Sequence, residues 1–311
     1  MPKLVFDTHY FRGLKPPVLE ELRRRKFILS ISYTAFVEAW NRSLEDDKPG
    51  LFFGPARNFA PYVDPNDAIA PSGGELFVRL GAQPPPGKKQ NAAKFREWAA
   101  LCWKHAVTSN SGDPFYRAHG AHAQAALAAV KRNWLRMAKK WTVRMANVSK
   151  REHLRSLRIL TEVDPKRLER AMWRWIREAH PPRGMNSPGP SERAHAYLRV
   201  VSRQLLATGR GGEMAAANDA EDFLQLSHVS EGAIFVTRER KILRLVDACG
   251  TFQAPWVRTL AEVLTDRLPR GRPWGRHARR VAALFKRRPY DELRDQESSL
   301  LRSILDAHRG E

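Results

Sequence analysis

Cysteine is nearly absent, with two residues in 311, and acids are scarce, with 33 Asp and Glu against 54 Lys and Arg. Cys102 and Cys249 lie far apart without CxxC spacing, which argues against a disulfide framework or a cysteine-built zinc site and fits a reducing compartment. No uninterrupted apolar stretch approaches the ~20 residues that span a bilayer. The opening MPKLVFDTHYF lacks the apolar core of a secretion leader. The expectation is a cytoplasmic protein with no membrane partner. RRM, KH and zinc-finger signatures are also missing, so base-specific readout of nucleic acid is not expected.

What is present is unevenly spread charge. The formal net charge is +21, yet residues 1–84 and 218–266 together are slightly acidic. Residues 85–217 carry 26 basic residues against 9 acidic ones, and residues 267–311 carry 12 against 6. Acids gather in two pieces and positive charge in the parts added to them, as in a protein that holds a polyanion in one region and attacks it in another.

The most informative stretch is Asn218–Leu243, NDAEDFLQLSHVSEGAIFVTRERKIL. It reads as helix, turn, strand, helix. Asn218 with Glu221 predicts a capping box. Asp219 and Asp222, three apart on a helix, repel each other unless a cation or basic partner lies between them. Gly232 ends the helix, AIFV is a buried strand, and Thr237, Arg238 and Glu239 follow at its carboxyl end, where open α/β sheets place ligands. The amino terminus repeats this logic, with strand KLVF, then Asp7 and Thr8. Residues 14–40 read as two helices, the second, Ile28–Trp40, carrying Thr34 and Glu38 on one face.

These motifs resemble a PIN domain, the metal-dependent nuclease fold. The matching residues are Asp7 in VFDTHYF, Glu38 in SYTAFVEAW, Asp222 with Asp219 in NDAEDFLQL, and Glu239 in FVTRER. The family usually has Asp where this chain has Glu239. The resemblance covers about the first 65 residues and roughly positions 215–265. It implies a three-layer α/β/α fold around a mostly parallel sheet, in two pieces, 1–84 and 218–266. Residues 85–217 would be a basic helical insert and 267–311 a basic helical extension. It also implies hydrolysis of RNA to 5′-phosphate ends around Mg²⁺ or Mn²⁺. Asp7 and Asp222 would then be direct ligands, Glu38, Asp219 and Glu239 direct or water-mediated ones, and Thr8 and Thr237 orienting hydroxyls. Small members of the family act as toxins, which would make an antidote protein a partner. His9 and His228 lie near these motifs and are not needed for such chemistry.

The remaining features have bland and functional readings. Asp64 and Asp67 sit in turn-rich sequence within 41–90, and QPPPGKK reads as a stiff linker. Helices are expected over Ala92–Val107, Ala118–Asn147, from a Ser149/Glu152 capping box, from Asp164 to Ile176, and over Glu192–Ala207. On the long one, Val130, Trp134, Met137, Trp141 and Met145 recur at spacings of three and four, which reads as a packing seam before a base-stacking platform. Lys131, Arg132, Arg136, Lys139, Lys140 and Arg144, with Arg155 and Arg158 beyond, are the candidate nucleic-acid contacts, RNA ahead of DNA. A short strand at Trp256–Arg258 and a Thr259-capped helix close the second piece. In the tail, Leu293, Leu300, Leu301 and Ile304 make an apolar face suited to docking or a homo-oligomer. The competing functions are an RNA-binding protein with little hydrolysis and an acidic-site nuclease acting on DNA.

Overall fold

In the computed structural model the described residues are 1–71, 76, 92–110, 113–146, 149, 152, 192–208, 216 and 218–309. Lys3–Phe6 forms β1 and pairs in parallel on both sides, with Ile28–Ile31 (β2) and Ile234–Val236 (β3); Val257–Arg258 (β4) extends the far edge. The order β2-β1-β3-β4 is all parallel, and the chain reverses its direction of growth between β1 and β3. A crevice opens at such a reversal, outside the carboxyl ends of the two strands. Helices flank the sheet, giving an α/β architecture.

Thr8–Gly13 (α1) starts directly on β1, capped by Asp7, whose side chain accepts from the Tyr10 amide. Pro16–Arg24 (α2) follows with two prolines in its first turn. Ile28–Trp40 is not one helix. ILSI is β2, Ser32 caps the break, and Tyr33–Glu45 is α3. Ser32 Oγ accepts from the Ala35 amide, a local bond that ends the strand and starts the helix. A four-residue apolar run buried in a parallel sheet has no period of its own, so its sequence cannot separate it from the helix it abuts.

The stretch read as turns also holds a helix, Gly50–Phe59 (α4), despite Gly54 and Pro55 inside it. Burial of Phe52, Phe53 and Phe59 overrides poor intrinsic propensity. Phe52 stacks on Trp40 and Phe59 meets Phe11 edge-on. Asp64 and Asp67 are turn residues, as expected, with Asp64 bonding the Asn66 amide and Asp67 paired to Lys3.

Ala92–Thr108 (α5) and Pro114–Ala146 (α6) are the first two helices of the basic region, and both pack on the sheet domain, α5 against α4 and α6 against α3. Trp134 of α6 is 4 % exposed; it meets Phe223 edge-on and donates Nε1–H to the Ala216 carbonyl. At Trp134, then, the stripe is a seam. The reciprocal Ser149 and Glu152 capping bonds are present. QPPPGKK, Asp164–Ile176, Arg155 and Arg158 lie outside the described residues.

His195–Thr208 (α7) precedes Asp219–Gln225 (α8), a 3₁₀ turn to Glu231, and Gly232 in the left-handed region. Asn218 does occupy the cap position of α8, but its side chain makes no capping bond, and Glu221 turns toward α6. Arg240–Ala248 (α9) follows β3. Leu260–Leu264 (α10) follows β4 with the full Thr259/Glu262 capping box. Gly275–Leu284 (α11) and Tyr290–Ala307 (α12) complete the chain. The apolar face of α12 is turned inward. Leu293 is buried, and Leu300, Leu301 and Ile304 rest on the core, with α12 packed along α10 and α2. That face is satisfied by its own chain. Among the described residues no helix is long and apolar enough to cross a membrane.

Candidate active site

Register brings the acids together. The Asp7 amide donates to the Val236 carbonyl, and the Thr237 amide to the Arg258 carbonyl, so the ends of β1, β3 and β4 are locked side by side. Thr237 Oγ1 then donates to Asp7 Oδ2 over 2.6 Å while accepting the Glu239 amide at 3.0 Å. Asp7 Oδ2 also receives the Arg238 amide, and Oδ1 the Tyr10 amide. Asp7 is 6 % exposed and cannot turn away without losing these bonds. Burial is the main cause that lifts its pKa to about 6, against the hydrogen bonds and with a smaller push from Glu239.

Glu38 reaches the same place from α3, where Thr8 Oγ1 donates to its Oε2 over 2.5 Å. Asp222 comes from α8. Among the described residues nothing hydrogen-bonds its carboxylate. Burial first, then the charges of Glu239, Glu38, Asp219 and Glu221, raise its pKa to about 7. Glu239 caps α9 by accepting the Lys241 amide at 3.3 Å. Asp7, Glu38, Asp222 and Glu239 all line one cleft of about 900 Å³. Thr8 and Thr237 line it with them.

Asp219 does not. It is 2 % exposed, its Oδ1 is taken by Lys241 Nζ and its Oδ2 by the Ala216 amide. The basic partner required by the Asp219/Asp222 pair is Lys241, and it holds Asp219 behind the cleft wall. Glu221, expected to cap, is instead a buried acid 3.4 Å from Lys131 of α6, with Oε1 unpartnered and a pKa pushed to about 7, chiefly by burial. Lys131 is thus engaged by the fold. Arg132, Arg136 and Lys139 are exposed on α6 and line no part of the cleft. Lys140 and Arg144 have no described side chains.

Sequence reasoning missed part of the rim. Arg12 of α1 and Tyr290 and Arg294 of α12 line the cleft together with Arg238, which the sequence placed at the ligand end of β3. Arg238 Nη1 lies 2.9 Å from His9 Nε2, whose pKa is lowered by burial and by Arg238 and Arg12, so a neutral ring accepts that bond. His228 is buried away from the cleft, its pKa pushed down to about 3 by burial, and is structural. Gln225 Oε1 accepts from Ser32 Oγ, tying α8 to the start of α3. Of the rim arginines, only Arg294 falls in a stretch of basic excess, and nothing local in the sequence places it near Asp7.

The donor set consists of carboxylate oxygens with mutual repulsion and one acid free of protein hydrogen bonds, which suits a hard divalent cation. Among the described residues no group of three or more acids, histidines or cysteines stands close enough to hold a metal ion as placed. Comparison with protein-family models, with curated proteins and with solved structures finds no match.

Proposed function

We propose that this chain is a PIN-like, metal-dependent endoribonuclease. The observation that carries the reading is the meeting of Asp7, Glu38, Asp222 and Glu239, from four separate elements, in one cleft at the β1/β3 reversal with Arg12, Arg238 and Arg294 on its rim. Buried carboxylates that repel one another are costly to the fold, and a bound dication would relieve that cost.

In this reading Asp7 and Asp222 hold the ion, with Glu38 and Glu239 bonding it directly or through water. Mg²⁺ or Mn²⁺ would supply neutralisation of the phosphate and a lowered pKa for the attacking water. Thr237 and Thr8 keep Asp7 and Glu38 from rotating out of place. The three rim arginines hold flanking phosphates. Water oxygen bonds to phosphorus, the P–O3′ pair leaves with the ribose oxygen, and the water's proton ends on that oxygen, giving a 5′-phosphate and a 3′-hydroxyl.

One observation favours a second reading, an RNA-binding protein with little hydrolysis: Glu239 already serves as the cap of α9. The test is cleavage of labelled RNA, single-stranded DNA and duplex DNA in Mg²⁺ or Mn²⁺, comparing wild type with Asp222→Asn and Glu38→Gln. RNA cleavage lost in both variants, with binding retained, supports the nuclease. Salt-dependent binding without cleavage supports the second reading, and cleavage confined to DNA changes the polymer. Equal cleavage by all three proteins overturns the carboxylate site.

A further inference from the structure

The acid cleft does not end at its rim. Arg294 of α12 lines both the cleft and a second recess of about 420 Å³, whose other lining residues are Asp295, Ser298, Ser299 and Arg302. Arg294, Ser298 and Arg302 are spaced i, i+4, i+8, so they form one stripe ~12 Å long on the helix. Arg294 and Arg302 are exposed, and no carboxylate among the described residues forms an ion pair with either. Their helix is nonetheless fixed in place, since Leu293 and Glu297, which flank the stripe on one side, are buried. Two guanidinium groups on a fixed helix, with the Ser299 hydroxyl between them, make a row of phosphate donors, while Ser298 Oγ donates to the Arg294 carbonyl over 3.0 Å. Asp295 is the single opposing charge in the recess.

We infer that a single nucleic-acid strand leaves the cleft along this stripe, its backbone held first by Arg294 and then by Arg302, with Ser299 as a neutral donor between them. The inference rests on the nucleic-acid reading of the cleft. It places the polyanion track on α12 rather than on α6, whose Lys131 is taken by Glu221 and whose Arg132, Arg136 and Lys139 line neither recess. A single strand is favoured because the cleft, lined by Leu51 and Pro55 of α4 and by Tyr290 of α12, has a volume that suits a nucleotide or two rather than a duplex.

The test is fluorescence anisotropy with labelled single-stranded RNA, a trinucleotide and a dodecamer, in an Asp222→Asn background that blocks cleavage. Adding R294Q and R302Q together should weaken dodecamer binding about tenfold or more and reduce the salt slope by about 1.4, at about 0.7 per lost phosphate contact on a single strand. R302E alone should weaken the dodecamer several-fold and the trinucleotide less than twofold. A matching duplex should compete poorly. The proposal is overturned if the dodecamer is held equally well without both arginines, or if the loss appears instead in an R132Q/R136Q/K139Q variant. It also falls if the parent binds a labelled acidic protein but no nucleic acid. Wild-type cleavage assays separate the two levels. Cleavage with an unchanged α12 variant sinks only the track, whereas neither binding nor cleavage of any strand sinks the nuclease reading with it.

Discussion

Tyr10 Oη donates to Glu297 Oε2 over 2.6 Å, joining the first helix of the chain to the last across 287 positions. Glu297 is 3 % exposed and also lies 3.8 Å from Arg238 on the cleft rim, while Tyr10 Oη accepts the Leu260 amide. One buried carboxylate therefore fixes α12 against both strand ends that carry site residues. Tyr10→Phe leaves Glu297 and the Leu260 amide short of a partner and should lower stability by about 1–3 kcal/mol. Glu297→Gln should cost a similar amount, and the double variant less than the sum of the two. Urea unfolding of the four proteins reads this directly, and simple additivity would refute the coupling.

Asp222 contributes to the cleft at the expense of the fold. Its raised pKa means that the folded chain binds more protons than the unfolded one between the ordinary value of 3.8 and about 7, and Asp7 adds to this up to about 6. With divalent ions chelated, stability should therefore fall as pH rises through that window and level off above it. Asp222→Asn removes a repelled charge with no hydrogen bond lost among the described residues. In chelator it should raise stability by about 1 kcal/mol near neutral pH and flatten the pH dependence. Thermal unfolding across pH checks the sign. A steeper decline in the variant would show that Asp222 is not the repelled group.

A divalent cation should reverse that trend, because metal and protons compete for the same oxygens. Mn²⁺ at ~100 times its Kd should add about 2.7 kcal/mol at about pH 8 and progressively less toward about pH 5, where Asp7 and Asp222 are protonated. Asp222→Asn should abolish most of the shift. A full shift surviving in that variant would move the ion elsewhere.

Trp134 separates packing from base stacking. Its indole is buried against Phe223 and its N–H is satisfied by Ala216, so Trp134→Ala should lower stability by about 3–5 kcal/mol. Nucleic-acid affinity, measured where the variant is folded, should change less than twofold. A loss of affinity with stability intact would make it a stacking platform after all.

These residues also show what a sequence can and cannot disclose. Asp7, Glu239, the Thr259 cap and Ser149/Glu152 were legible because a cap or strand end is set within four residues, although the same local signal failed at Asn218/Glu221, where Glu221 is drawn to Lys131. β2 was not, since ILSI carries no period. α4 was not, since its phenylalanines form a helix only by burying themselves against α1 and α3. Arg294 and Glu297 were invisible as site residues for a different reason. The contacts of Glu297 with Arg238 and Tyr10, and the place of Arg294 on the cleft, are made entirely by tertiary packing of α12, and the apolar spacing that does the packing reads equally well as an interface with another chain.

The pairing of Lys241 with Asp219 decides whether Asp219 belongs to the chemistry. Asp219 is the more deeply buried partner, whereas the Lys241 side chain is partly exposed and can turn to solvent. Lys241→Met strands a buried carboxylate and should lower stability by about 3–5 kcal/mol. Asp219→Asn keeps an oxygen for the Ala216 amide and should cost only about 1 kcal/mol. The double variant should sit near the Asp219→Asn value, because removing the lysine no longer leaves a charge unpaired. If Asp219 acts only through Lys241 to seat the first turn of α8, Asp219→Asn should retain the Mn²⁺ shift and cleave within a few-fold of wild type, in contrast to Asp222→Asn. Loss of both the shift and cleavage in a well-folded Asp219→Asn protein would instead mean that Lys241 yields its place to the metal, making Asp219 a ligand reached only after that exchange.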